Sequence, residues 1–129
     1  MKLEDLEVYN ISMDLSDKIW FIVEQWDFFK KDTIGKQLVR AIDSVSSNIS
    51  EGFGRNTYKD QRSFYYYSRG SLYESKTWIT KAKRRGIIDE DTFNELLADF
   101  NSLGIKLNHF ISSVTKLMNN ENKNNIVGK

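Results

Sequence analysis

An antiparallel up-down-up-down four-helix bundle, an all-α fold, is the class this sequence predicts, and three observations predict it. Apolar residues recur at spacings of three and four through four separate stretches, the periodicity of helices that each bury one face. The 129 residues include no proline and only seven glycines, so nothing interrupts long helices. The connections between periodic stretches are short, which makes successive helices antiparallel neighbours. A chain of this length supports one core. The bundle domain is therefore expected over residues 1–118, followed by a disordered tail over 119–129.

The first helix is expected over residues 6–25, with Asp5 as its N-cap and Val8, Ile11, Leu15, Ile19, Ile22 and Trp26 as its buried stripe. Residues 27–32 break the pattern and read as a connection. The second helix is expected over 34–51, capped by Asp32 or Thr33. Ile34, Leu38, Ala41, Ile42, Val45 and Ile49 form its stripe, and Gly52 stands where a left-handed terminal residue is wanted. The third, over 58–85, opens on Thr57 with Asp60 three residues later, a form of capping box, and stops at Gly86. Its inward row reads Phe64, Ser68, Ser71, Ser75, Trp78 and Ala82, and the small residues there imply a close neighbouring helix. The fourth opens after Asp89, with Glu90 and Asp91 at the positive end of the helix dipole. Its heptad of Phe93, Leu96, Phe100, Leu103, Leu107, Phe110, Val114 and Leu117 implies shallow bundle packing. After Met118 the chain is asparagine-rich and patternless, the reason to expect disorder there.

Composition narrows the chemistry. Without cysteine there are no disulfides, thiolate metal sites or cysteine nucleophiles. The N-terminus lacks the basic and apolar regions of a signal peptide. No apolar run approaches the roughly 18 residues that cross a bilayer, so a cytoplasmic chain with no membrane partner is expected. His109, the single histidine, lies off the fourth heptad, and the serines at 44, 46, 47 and 50 have no histidine base in their segment. Gly52-Phe53-Gly54 lacks the lysine and preceding strand of a phosphate-binding loop. Helix capping accounts for Asp89, Glu90 and Asp91 without a metal. A non-enzymatic protein without cofactor or metal is the expectation.

Charge is unevenly spread. The net charge is +1, yet residues 1–29 carry two cations and seven anions, residues 30–86 thirteen and five, and residues 87–129 four and six. An anionic partner for the middle of the chain would suit this distribution. Two rows within it are not core. On the second helix Gln37, Arg40, Ser44, Asn48, Glu51 and Arg55 fall about 120° round from the apolar stripe, and Glu74 flanks the inward row of the third. Arg40, Asn48, Glu51, Arg55 and Glu74 read either as a hydrogen-bonded seam holding helices in register or as a subunit contact. On the third helix Arg62, Tyr66, Arg69, Tyr73, Lys76, Thr80 and Lys83 alternate at spacings of four and three, without an acid and opposite the inward row. Guanidinium and ammonium groups neutralise phosphates and tyrosine rings stack on bases. Lys81, Arg84 and Arg85 extend the positive field, and they also complement the helix dipole. A nucleic-acid contact through Arg62, Tyr66, Arg69, Tyr73, Lys76, Lys83 and Arg84 is one reading of this stripe; a solvated or subunit-contacting face is the other.

The runs Gln37-Leu38-Val39-Arg40-Ala41, Asn48-Ile49-Ser50-Glu51-Gly52-Phe53-Gly54-Arg55 and Arg69-Gly70-Ser71-Leu72-Tyr73-Glu74 resemble the bacterial four helix bundle family. That family includes proteins encoded in intervening sequences of 23S rRNA genes and the accessory variability protein of diversity-generating retroelements. The resemblance spans about residues 3–118. It implies an antiparallel bundle assembled into a homopentameric, barrel-like ring, with nucleic acid and a reverse transcriptase as partners of the retroelement member. The family often carries consecutive arginines where this chain has Val39-Arg40, and alanine where it has Ser50. That lost charge and the near-neutral balance make an intervening-sequence or freestanding relative the closer likeness. The expected function is thus a non-enzymatic homo-oligomer contacting RNA or DNA through the third helix. The alternative is a protein-interaction module or accessory subunit for a nucleic-acid enzyme such as a reverse transcriptase. Tyr65, Tyr66, Tyr67 and Tyr73 cannot all point inward from one helix, which favours assembly.

Overall fold

The computed structural model describes residues 1–127, and these form helices with no strand. A 3-10 turn, Leu3–Asp5, leads into α1 (Glu7–Glu24). A helical turn, Phe28–Lys30, and a π segment, Lys31–Gly35, lead into α2 (Lys36–Phe53). α3 (Tyr58–Arg84) and α4 (Glu90–Val127) follow. α1 packs on α2, α2 on α3, α3 on α4 and α4 on α1, so four helices form a bundle around one core.

Two expected caps move. Asp5 does not cap α1; its Oδ2 accepts from its own turn, the Lys2 N–H at 2.9 Å, and Leu6 occupies the N-cap without a side-chain bond. The second helix is capped not at Asp32 or Thr33 but at Asp27, whose Oδ1 accepts from the Lys30 N–H at 3.0 Å. The stretch expected as a connection is therefore already helical. Phe28 and Phe29 hide this because they are 78% and 74% exposed. The π segment takes up the extra residue that turns Ile34 and Gly35 inward.

The α2 stripe is buried as expected, Ile34, Leu38, Ala41, Ile42, Val45 and Ile49 all lying in the core. Gly52 is a correction. It sits inside α2, whose C-cap is Gly54 with right-handed φ −79°. A Cβ on Gly52 would lie 2.7 Å from Tyr65 Cε1, so close helix contact, not a left-handed turn, requires the glycine. Gly86 does adopt positive φ, 70°. There the Ile87 N–H reaches Ala82 O and the Gly86 N–H reaches Lys83 O, a Schellman closure of α3. Thr57 and Asp89 cap α3 and α4 as read, accepting from the N–H groups of Asp60 and Thr92 at 3.1 and 2.7 Å. The Thr92 backbone bond holds the Asp89 carboxyl below its usual range.

The inward faces differ in detail from the periodic reading. On α3 the buried residues are Tyr65, Ser68, Leu72, Ser75, Ile79 and Ala82, while Phe64, Ser71 and Trp78 lie at the margin. The row is thus turned by part of a residue step, and the Ser68 hydroxyl marks it by donating to Val45 O of α2 at 2.8 Å. On α1 Ser12, Ser16 and Val23 are buried where Ile11, Ile22 and Trp26 are only half-buried. Both hydroxyls donate to carbonyls of their own helix, Tyr9 and Met13, which satisfies them without a bulky side chain. On α4 Ile111 joins the core and Leu117 is 47% exposed, because a 3.6-residue turn drifts about 20° per heptad from a strict repeat.

Past Met118 the helix continues to Val127 where a disordered tail was expected. Each residue added to an existing helix gains a backbone bond without new nucleation, and no proline or glycine intervenes before Gly128. Gly128 and Lys129, the end of that expected tail, lie outside the described residues. Among the described residues, no helix is long and apolar enough to cross a membrane.

Candidate nucleic-acid interface

The cation–tyrosine row of α3 begins one residue after the buried row, about 100° round the helix. It runs along the α3–α4 seam; the expected position opposite the core is corrected by the turn of the inward face. Arg62 Nη1 donates to Thr115 Oγ1 at 3.4 Å and Arg69 Nη1 to Asn108 Oδ1 at 3.3 Å, both acceptors on α4. The guanidiniums of Arg62 and Arg69 flank the Tyr66 ring, 5.6 and 4.9 Å from its centroid. Lys76 lies 5.2 Å over Tyr73, and Lys83 lies 4.5 Å over Phe93 of α4. Ion pairs among the described residues use other cations, Lys18, Lys30, Arg55 and Lys106.

This arrangement keeps four positive charges along one row with no carboxylate in an ion pair with them among the described residues. Aromatic faces hold the cationic groups without neutralising them, so their charge stays available to an anion. Tyr73 is 61% exposed and Tyr66 also reaches solvent. At the Arg62 end a depression of about 380 Å³ is lined by Tyr58, Lys59 and Arg62 and by Glu121 of α4, so one acid stands at that end. Arg84 is exposed and lies a further residue step round from Lys83, in the last turn of α3. There it complements the dipole and does not join the row.

The polar row on α2 does not come together as one seam. Asn48 Nδ2 donates back to Ser44, to its carbonyl at 2.8 Å and its hydroxyl at 3.1 Å. Glu51 and Arg55 form an exposed ion pair at 2.6 Å. Arg55 also caps the Phe64 ring at 4.6 Å, and its carbonyl accepts from Gln61 Nε2. Glu74 accepts from Trp78 Nε1 at 3.3 Å within α3. Arg40 is exposed, beside a cavity between α1 and α2. The buried polar bond that does cross helices belongs to Ser68, and its signal in the sequence was a small hydroxyl within the inward row.

That α1–α2 cavity was not legible in the sequence. It is an open depression of about 350 Å³ lined by Trp20, Val23, Gly35 and Val39 together with Glu24, Lys31, Lys36 and Arg40. Trp20 is 54% exposed. Nearby on the same two helices stand Asp17 and Asp43; burial, and then the Asp17 charge, push the Asp43 carboxyl above its usual range. Among the described residues no group of three or more histidine, cysteine, aspartate or glutamate side chains is placed to hold a metal ion.

An all-helical bundle with a cation–aromatic row on its surface is the class these elements define. The chain belongs to the 23S rRNA-intervening sequence protein family, which matches residues 4–109. A crystal structure at 1.70 Å of a Bacteroides thetaiotaomicron protein of the S23 ribosomal protein family, described as of unknown function, is similar in fold. Its TM-score is 0.74 at 17% identity, over 81% of this chain and 95% of that one. No curated protein matches the chain.

Proposed function

We propose that this protein is a non-enzymatic, homo-oligomeric bundle of the cytoplasm that contacts RNA or DNA through α3. The observation that carries the reading is the row of Arg62, Arg69, Lys76 and Lys83, each held against an aromatic ring and none ion-paired among the described residues. Phosphates would meet the cations, and exposed Tyr66 and Tyr73 would stack on unpaired bases. An up-down-up-down course of the helices is supported by paired contacts: Val23 with Gly35, Val45 with Ser68, Asn108 with Arg69, and Glu7 with Lys106. Repeated copies of a modest stripe gain avidity, and the five-membered ring that the family resemblance implies would supply them.

Replacing Arg62, Arg69, Lys76 and Lys83 together by glutamine is the test. Fluorescence anisotropy with labelled oligonucleotides should show affinity falling at least about tenfold near 0.1 M salt. The slope of log affinity on log salt should shrink by about three, since each lost phosphate contact removes about 0.7–0.9. Unchanged affinity and slope would overturn the reading.

A second reading is an interaction module for a nucleic-acid enzyme such as a reverse transcriptase. What favours it is the exposure of Trp20, Phe21, Phe28 and Phe29, away from the cationic row. It expects no nucleic-acid affinity for the isolated protein, and recovery of that enzyme from its own cells by co-purification.

A further inference from the structure

Midway along the α3–α4 seam the cationic row opens on a recess of about 20 Å³, lined by Arg69, Leu72, Tyr73, Lys76, Gly104 and Asn108. Leu72 is buried and Gly104 carries no side chain, so the floor is apolar. A Cβ on Gly104 would stand 3.7 Å from Leu72 Cδ2, so a methyl group there would take up the space that the glycine leaves. The polar groups of the lining side chains are nearly all donors. Arg69 and Lys76 have no acceptor, and Tyr73 alone offers both functions. Asn108 is set by its neighbour: a guanidinium can only donate, so the amide oxygen must face Arg69 Nη1, 3.3 Å away. Its N–H2 is then the end left for a ligand. Among the described residues, no carboxylate lines the recess.

We infer that this recess takes the O6/N7 edge of an unpaired guanine, which makes Asn108 a specificity-determining residue. The space admits about one oxygen-sized atom, so a base enters by its edge and not whole. A lining of donors selects an edge made of acceptors. Guanine presents two side by side, O6 and N7, whereas adenine puts an N6 amino group beside N7. That amino group would meet the Asn108 N–H2 and the two cations donor to donor, leaving polar groups unpaired on both sides. A phosphate oxygen is also an acceptor, but the floor of Leu72 and Gly104 and the Tyr73 ring, 61% exposed, suit a flat base better. Arg62 and Lys83 remain for the phosphates of the same strand, each seven residues, about 10 Å along α3, from the nearer cation of the recess. The inference rests on the reading of the α3 row as a nucleic-acid contact and names the base that contact prefers.

Short thymidine strands that differ in one central base test it, by fluorescence anisotropy with the full-length protein. Guanine and hypoxanthine share the O6/N7 edge, and both should bind about fivefold or more tighter than adenine, the lower end of a paired base contact. The deaza analogue of guanine that lacks the N7 acceptor should fall close to adenine. Asn108→Leu removes the amide, and Gly104→Ala fills the recess while removing no donor and favouring the helix. In each variant, with folding confirmed by circular dichroism, the ratio of guanine to adenine affinity should drop to about one. A wild type that binds all strands alike, with salt-dependent affinity, would put a phosphate at the recess and overturn the guanine preference while leaving the cationic row in place. A preference that survives in either variant would overturn the recess as its source. Absence of binding to any strand would overturn both the preference and the reading on which it rests.

Discussion

Gly52 and Tyr65 show how a single position in this bundle is decided by its neighbour. Tyr65 is buried from its ring outward, 4.7 Å from the Phe110 ring centroid and against the bare Cα of Gly52. Alanine at Gly52 would press on the tyrosine ring and on the Gln61 carbonyl, 3.0 Å away. Gly52→Ala is therefore expected to cost about 1–3 kcal/mol, the range of overpacked cores, measured by urea unfolding. Burial also pushes the Tyr65 phenol up to about 12. Because the folded value lies above the ordinary 10.0, this contribution to stability is fully present below pH 10 and is lost as pH rises through about 12. Absorbance titration should show a phenol ionising near 12 in the native protein, and Tyr65→Phe should remove it. Neither property was legible beforehand: the sequence shows three consecutive tyrosines, and helical periodicity allows one of them inside without saying which.

At the scale of elements, some short-range signals were read correctly, while the Asp5 cap and the Gly52 terminus were not. Thr57 and Asp89 cap their helices and Gly86 closes α3, because each depends on backbone groups only a few residues away. The entry to α2 was misread for an equally physical reason. Phe28 and Phe29 face solvent, so hydrophobic periodicity failed there while the backbone stayed helical. Asp27 is the cap, and Asp27→Ala is expected to cost about 1 kcal/mol, seen as a lower midpoint in thermal or urea unfolding. Alanine at Asp32 should cost clearly less, since Asp32 makes no capping bond in the π segment. The inward face of α3 was misplaced because two adjacent rows of that helix both hold small and aromatic residues. The choice between them was made by α2, through the Ser68 bond to Val45 and the fit of Tyr65 on Gly52.

For the whole molecule, the shift of the α3 face moves the cationic row from the back of the helix to its seam with α4. Thr115, Asn108 and Phe93 then hold Arg62, Arg69 and Lys83 in place. Held side chains lose less freedom on meeting a phosphate, so the glutamine variant should fail on affinity and salt dependence while its fold and mass persist. Sequence alone determined the four helices, most of their extents, the α2 core stripe and the residues of the cationic row, because these follow from periodicity and backbone capping within one segment. Tertiary structure alone decided which row of α3 is buried, why Gly52 must be glycine, and where α1 and α2 leave a cavity. Those outcomes depend on the shapes of two helices meeting, and the free energy of burying one face exists only when the facing surface is present.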